Sequence, residues 1–393
     1  MNRVINDYER YVIPCYRKLP VVFTRGRGSW LWDDTGRKYL DFFSGWAVSS
    51  LGHAHPRVAK AIARQAARLI HIPNNYYHEG HASLARTLVQ NSFEGKVFFC
   101  NSGAEAIEGA IKLARAYGNP RRNEIITMQR SFHGRTMGAL SATGQMKFHK
   151  KIRPVLGGFK MIPLNDYATF QKAAGPRTVA VLLELIQGEG GINAAEVDYV
   201  KKLRRYCNEH DMLLMVDEVQ TGVGRTGKMF GFQHYGITPD VMLLAKGLGS
   251  GFPIGAMVAS KRVADVLGPG THASTFGGSP IACAAAMAVF ETLKKDKVLA
   301  HVRRQGAKLF AELRRLQKAH PMIREVRGRG LMAGFELDRD AKPIFDHCLK
   351  NGVLVNVTQE RVVRLSPSLL VSETEIRRAV DALDAALNQM KSS

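Results

Sequence analysis

The chain has 393 residues, 45% of them hydrophobic and 23% charged, enough for two or three domains around a sizeable core and incompatible with global disorder. Lys plus Arg number 56 against 34 Asp plus Glu, a net charge of +22 that is spread along the sequence and forms no tail. No apolar run reaches the roughly 18 residues that span a bilayer, the charged first ten residues lack a signal peptide's apolar stretch, and five scattered cysteines suit neither a disulfide framework nor a zinc site. The expectation is a soluble, cytoplasmic protein with reduced thiols.

The first fifty residues read as an extended or hairpin-like opening, with two strand-like runs around the Asp34-Thr35-Gly36 turn. From about residue 57 helices and strands alternate. Val97–Cys100 is a short apolar strand followed by a helix over 104–117. Val179–Leu185 and Met212–Val219 have strand length, with a helix over 200–210 between them, and Val241–Ala245 is another strand before a Gly-rich turn. Apolar strands without alternation, interleaved with helices, predict a parallel sheet covered on both faces. A long helical stretch over 281–318 follows, then strands at Leu331–Leu337, Val353–Asn356 and Val362–Leu365 and closing helices. The expected fold class is therefore α/β, with an N-terminal segment (1–50) packing with the small domain, a large domain (51–280) and a smaller C-terminal α+β domain (281–393).

Ligands of α/β sheets sit beyond the carboxyl ends of the strands, so the residues that follow each strand matter most. Ser102-Gly103-Ala104-Glu105 has the small residues and helix start that receive a phosphate, although it reads equally as a capping box. Asp217 and Lys246 each close a strand. A buried carboxylate can keep a ring nitrogen protonated and a desolvated lysine can form an imine, but for an arbitrary Asp and Lys a structural salt bridge is the commoner use. Gly222–Lys228 imitates a nucleotide P-loop and fails it, because residue 229 is Met where Ser or Thr must bind magnesium. His53/His55 and His78/His81 have no companion carboxylate or thiol and are read as ordinary histidines, so no metal is expected. The stripe Arg57, Lys60, Arg64, Arg68 has helical spacing without interleaved aromatics and is read as a solvated face, not a specific nucleic-acid surface.

Taken together, Leu51-Gly-His-Ala-His-Pro56, Phe98-Phe-Cys-Asn-Ser-Gly-Ala-Glu-Ala106, Phe132-His-Gly-Arg-Thr136, Ile186-Gln-Gly-Glu-Gly-Gly191, Asp217-Glu-Val-Gln-Thr-Gly-Val-Gly-Arg-Thr-Gly227, Ala245-Lys246 and Thr275-Phe-Gly-Gly278 occur in one order. In this the chain, from about Pro20 to its C-terminus, closely resembles class III aminotransferases, pyridoxal-phosphate enzymes of fold type I, and most of all the acetylornithine/ornithine group. The resemblance implies that Lys246 forms the Schiff base with pyridoxal 5′-phosphate and carries the proton in catalysis, and that Asp217 holds the pyridinium N–H. It implies a phosphate site of Ser102, Gly103 and Ala104, completed by Thr275 from a neighbouring subunit, with Phe132 stacked on the ring and Gln220 at the phenolic oxygen. A homodimer is then the smallest active unit, with pairing into tetramers left open.

The same resemblance implies that Arg364 grips an α-carboxylate, that Glu189 gates it when the donor presents a distal amine, and that Arg135 takes the far carboxylate of 2-oxoglutarate or of an acylated donor. Guanidinium groups suit this because their planar fork binds carboxylate bidentately. Trp46 departs from the pattern: acetylornithine enzymes usually carry a small aliphatic residue there and ornithine enzymes a tyrosine, so the indole should reshape the donor pocket.

The expected reaction is ping-pong transfer of a terminal amine, first of all that of N-acetylornithine, to 2-oxoglutarate, giving glutamate and a semialdehyde. Ornithine, succinylornithine, 4-aminobutyrate and a lysine precursor on a carrier protein stay open as donors. A +22 surface would attract an acidic carrier; that reading expects turnover of the carrier substrate to fall steeply with salt, and a flat response removes it. Racemisation, decarboxylation or aminomutase chemistry on the same fold is the alternative, disfavoured because Arg135, Glu189 and Arg364 answer the need to bind two differently shaped substrates. A charge-driven binder that has lost its chemistry is disfavoured because Lys246, Asp217 and the phosphate turn are all intact.

Overall fold

The computed structural model describes residues 3–391. Its centre is a seven-stranded sheet in the order Gly95–Cys100, Gly255–Ser260, Val241–Leu244, Leu213–Asp217, Thr178–Glu184, Glu124–Met128, Phe159–Ile162. Only Gly255–Ser260 runs against its neighbours; the five strands from 241–244 to 159–162 pair in parallel. Successive side chains of a strand point to opposite faces. Val181, Leu183, Leu214, Val216, Met242 and Leu244 accordingly enter one apolar cluster, while Ala180, Leu182, Leu213, Met215, Val241 and Leu243 enter another beneath the helix Gly103–Gly118. Burial on both faces is why these strands read as unbroken apolar runs.

Register places the chemistry. Asp217 pairs with Glu184 on one side and Leu243 on the other, so the ends of three adjacent strands lie level, with Lys246 three residues past Leu243. The larger apolar cluster continues from Leu40 and Phe42 through Leu244 to Leu365 and Leu383. The opening strands Phe23–Arg27, Trp30–Asp33 and Lys38–Asp41 form a sheet with Val353–Leu354. Hydrogen bonds from Ser366 N–H to the Phe42 carbonyl (2.8 Å) and from Trp30 Nε1 to Glu375 (2.9 Å) extend that junction.

Three sequence expectations change. The stretch 281–318 is two helices, Pro280–Lys295 and Val298–Ala319, broken where Lys297 turns left-handed (φ 50°). The polar run 294–297 has no apolar face to bury, and Asp296 instead pairs with Arg57 at 3.1 Å. The run Val353–Asn356 is split between two sheets, its last residue opening the strand Asn356–Thr358. Residues 3–11 form a helix with no buried residue, not an extended opening. Among the described residues no helix is long and apolar enough to cross a membrane.

Arg225 is only 2% exposed and has no carboxylate partner among the described residues. Its guanidinium donates to the carbonyls of Leu331 and Pro367, tying the loop after Asp217 to the strand end after Arg364. Burial pushes its guanidinium down to about 9.

Candidate active site

Lys246 opens a tight turn, Lys246–Leu248, in a left-handed conformation (φ 45°). Packing around the side chain pushes its ammonium down to about 8, chiefly by desolvation; Glu189, Asp217 and Glu184 pull the other way and Arg364 adds to the depression. One amine thus feels four charged groups from three stretches of the chain, which gathers them around the carboxyl edge of the sheet.

On one side stands Asp217, 5% exposed. Its Oδ1 accepts the Val219 N–H (3.0 Å) and its Oδ2 lies 2.8 Å from His133 Nδ1. The His133 backbone N–H donates to Thr143 Oγ1 (2.9 Å), while its buried Nε2 has no hydrogen-bond partner among the described residues. Next to this pair Glu184, also buried, accepts from the N–H groups of Phe132 (2.9 Å) and Gly188 (3.1 Å). Burial pushes Glu184 up to about 7, with His133 pulling down and Asp217 pushing up. His133 and Glu184 are site residues that the sequence reading did not single out. The available signal was a polar residue beside a strand end with nowhere to go but the interior.

On the other side the helix Gly103–Gly118 starts. Ser102 caps it, accepting the Glu105 N–H (3.2 Å), and Glu105 reaches back to the Asn101 N–H (3.0 Å). The capping interpretation therefore holds. It does not displace the anion interpretation, because a helix leaves its first N–H groups without intrahelical acceptors, and these belong to Gly103 and Ala104. A Cβ on Gly103 would stand 3.0 Å from Val219, tighter than an ordinary contact, and 3.6 Å from Ala245, so the helix start packs directly against the loop after Asp217 and the end of the Lys246 strand. Gln220 lies over Gly188, where a Cβ would meet its amide at 2.2 Å, and its buried Oε1 has no hydrogen-bond partner among the described residues.

Arg364, 1% exposed, donates from Nη1 to Glu189 Oε1 (2.6 Å) and from Nη2 to Asn356 Oδ1 (2.7 Å). The Glu189 carbonyl accepts from Thr358 Oγ1 (2.6 Å) and Gln359 Nε2 (2.7 Å). Arg135 is exposed, its guanidinium 3.8 Å from the Phe148 ring centre and 5.5 Å from that of Phe132. Thr275 is exposed on the loop where Ser274 meets Asn101. Trp46 is 43% exposed and packs edge-on to Phe43 at 4.8 Å, in a turn that contacts the turn of Lys246. The structure thus gathers Lys246, Asp217, Glu189 and Arg364 electrostatically, and Gly103, Phe132 and Gln220 by contact. Arg135 and Thr275 stay at the surface of the single chain.

The family model for Aminotransferase class-III matches residues 11–387. The chain belongs to this family. Among curated aminotransferases it is 50% identical over 393 residues to the acetylornithine aminotransferase of Caldanaerobacter subterraneus subsp. tengcongensis, covering 99% of this chain and all of that one. Among solved aminotransferases it superposes with TM-score 0.94 on the ornithine aminotransferase of Toxoplasma gondii, 34% identical, covering 99% of this chain and 94% of that one; that structure has partial occupancy of pyridoxal phosphate. The N-acetylornithine aminotransferase of Stenotrophomonas maltophilia superposes with TM-score 0.85 at 36% identity, with 99% of both chains covered. The fold of this aminotransferase is therefore that of the pyridoxal-phosphate-dependent relatives, as its sequence motifs implied.

The residues present suit that cofactor. An amine whose ammonium is pushed down to about 8, a carboxylate backed by a histidine, a helix start with free N–H groups and a buried amide oxygen without a hydrogen-bond partner among the described residues gather at one edge of the sheet.

Proposed function

We propose that this chain transfers the terminal amino group of N-acetylornithine to 2-oxoglutarate, using pyridoxal phosphate held by Lys246, Asp217, the Ser102–Ala104 turn, Phe132 and Gln220. The observation that carries the proposal is the Arg364–Glu189 pair. A guanidinium that is almost wholly buried has its charge answered by a carboxylate from a different segment, 2.6 Å away. This is the arrangement needed when a carboxylate-gripping arginine must be silenced for one substrate and released for the next. The name of the 50%-identical relative supports the same donor.

Pyridoxal phosphate supplies, when bound, an electron sink for the pair left on the substrate carbon. The chain's own residues do the rest. Lys246 Nζ, its ammonium pushed down to about 8, takes and returns the proton at that carbon. Asp217, fixed by Val219 N–H and His133, would hold the N–H of the cofactor's ring nitrogen and so keep that ring protonated. With the amine donor in place, Glu189 keeps Arg364 occupied. When 2-oxoglutarate follows, Glu189 turns away, Arg364 binds the α-carboxylate bidentately, and Arg135 receives the far one.

Rapid mixing with single donors tests this reading. N-acetylornithine should bleach the visible absorption of the bound cofactor quickly, and 2-oxoglutarate should restore it with formation of glutamate. Slow bleaching by N-acetylornithine beside fast bleaching by another terminal amine would keep the reaction and change the donor. In Glu189→Gln the guanidinium keeps a hydrogen-bond acceptor but loses its counter-charge, so donor kcat/KM should fall about tenfold or more. The 2-oxoglutarate half-reaction should change by less than about threefold in the same variant. Equal losses in both halves would refute the gate.

The proposal includes a homodimer with shared phosphate sites. Support comes from Thr275, which is exposed beside Phe276 (60% exposed), and from Tyr76, Tyr77 and Ile70, which leave apolar area open on a single chain. Hybrids of a Lys246→Ala chain with a Thr275→Ala chain would each contain one intact site if Thr275 crosses between subunits. Refolded equal mixtures should then show cofactor affinity restored in about a quarter of the sites. No restoration would place Thr275 outside the shared site.

A further inference from the structure

Four consecutive residues, Ser44, Gly45, Trp46 and Ala47, have positive φ (49°, 56°, 61° and 65°). Only one of them is glycine, so the turn Ser44–Ala47 winds in the hand that L-residues avoid. Its internal bonds, from Val48 and Ser49 N–H to the Ser44 carbonyl and from Ala47 N–H to the Phe43 carbonyl, are too few to select that hand. What selects it lies outside the turn. Asp41, 3% exposed, directs Oδ1 at the N–H groups of both Phe43 (2.9 Å) and Ser44 (2.7 Å), the two residues that lead into it.

The carboxylate is itself fixed. Its Oδ2 lies 2.8 Å from Nε2 of His53. The His53 side chain packs against Gly26, where an added Cβ would fall 2.6 Å from His53 Cβ. The backbone of His53 exchanges two hydrogen bonds with Gly28, at 2.8 and 3.0 Å. Beyond the turn, Ser50 Oγ donates to the Gly247 carbonyl (3.2 Å) and Leu51 N–H to Ser250 Oγ (2.9 Å), which anchors the same segment to the turn of Lys246. The turn that carries Trp46 is therefore held at its start by Asp41 and just past its end by the lysine turn.

We propose that Asp41 and His53 are positioning residues that set donor selectivity: they impose the left-handed turn, and through it the angle at which Trp46 meets the amine donor. This rests on the reading that Trp46 lines the donor pocket. Neither Asp41 nor His53 touches the substrate in this account. Losing the Oδ1 acceptor frees two N–H groups and lets the turn relax toward the right-handed region, which carries the indole away from its place beside Phe43.

The test compares kcat/KM for N-acetylornithine and for ornithine in the holoenzyme of five variants: Trp46→Ala, Asp41→Ala, Asp41→Asn, His53→Ala and the double variant Trp46→Ala/Asp41→Ala. A displaced contact of this kind changes rates by about tenfold or more. Asp41→Ala should shift the ratio of the two donors about tenfold, in the direction of Trp46→Ala, and should add nothing to the ratio in the Trp46→Ala background. Asp41→Asn, which keeps an oxygen for the two N–H groups, should retain the ratio within about threefold. Equal losses for both donors in Asp41→Ala would overturn the proposal, since a merely structural role weakens all donors alike. A ratio unchanged in Trp46→Ala would instead overturn the underlying pocket reading. If Asp41→Ala does not fold, His53→Ala decides: it keeps both Oδ1 bonds but frees the carboxylate, and a donor ratio identical to that of the unaltered enzyme refutes the role.

Discussion

Replacing Lys246 with alanine is expected to lower turnover by at least about 10⁴-fold while leaving cofactor capture measurable. The two outcomes separate because the groups for the phosphate and the ring do not depend on the amine. The start of the helix 103–118 is formed by Ser102 and Glu105, and Asp217 is fixed by His133 and Val219. Equilibrium dialysis with pyridoxal phosphate and a glutamate-release assay read the two quantities independently. In the unaltered apoenzyme the same lysine should set the pH dependence of capture. Its ammonium is pushed down to about 8, and only the neutral amine attacks an aldehyde. Protonation dominates below that value, so the capture rate should rise close to tenfold per pH unit up to about 8 and then level. A rate still climbing steeply above about pH 9 would mean that Lys246 keeps ordinary lysine acidity. A turnover number unaffected in Lys246→Ala would remove the assignment altogether.

The second large effect is expected at Asp217. In Asp217→Ala the buried carboxylate proposed to hold the ring nitrogen disappears and the His133 imidazole loses its only hydrogen-bond partner among the described residues. Turnover should fall by about 10³-fold, comparable to deleting a preorganised charge in other active sites. Asp217→Asn separates charge from shape, because the amide can still accept the Val219 N–H and meet His133. If charge is what matters, the asparagine variant should resemble the alanine variant in turnover and the parent in thermal stability. Recovery of most activity by asparagine would assign Asp217 to packing and hydrogen bonding instead.

How much of this was legible in the sequence follows from the range of the forces involved. Strands 179–185, 241–245 and 362–365 were visible because burial on both faces demands unbroken apolar runs, and the residues that follow the first two were singled out as candidates for the chemical edge. Strand order was not visible. That Asp217 lies level with Glu184 and Leu243 is a matter of register between segments about 30 residues apart, which no local pattern records. Glu184 was passed over because a carboxylate inside an apolar run looks like an interruption until Phe132 and Gly188 are seen to supply it with donors. His133 was hidden for the same reason: its partner is 84 residues away. The helix 3–11 was missed because it buries nothing within the chain, and burial is what periodicity reports. The left-handed turn at Trp46 carries one glycine among four residues, too weak a signal against three L-residues that ordinarily refuse that conformation.

The two hydrogen bonds on the Glu189 carbonyl have a consequence for timing. Thr358 and Gln359 pin the backbone at the residue whose carboxylate must come and go, so the exchange between substrates reduces to rotation about side-chain torsions. Rotamer flips of exposed side chains run in picoseconds to nanoseconds, and even slowed by the ion pair to Arg364 such a rotation is a smaller motion than the microsecond-to-millisecond movement of a loop or domain. The alternation between an amine donor and a keto acid would then add no slow step of its own to the catalytic cycle, and its speed would be limited by how quickly products leave.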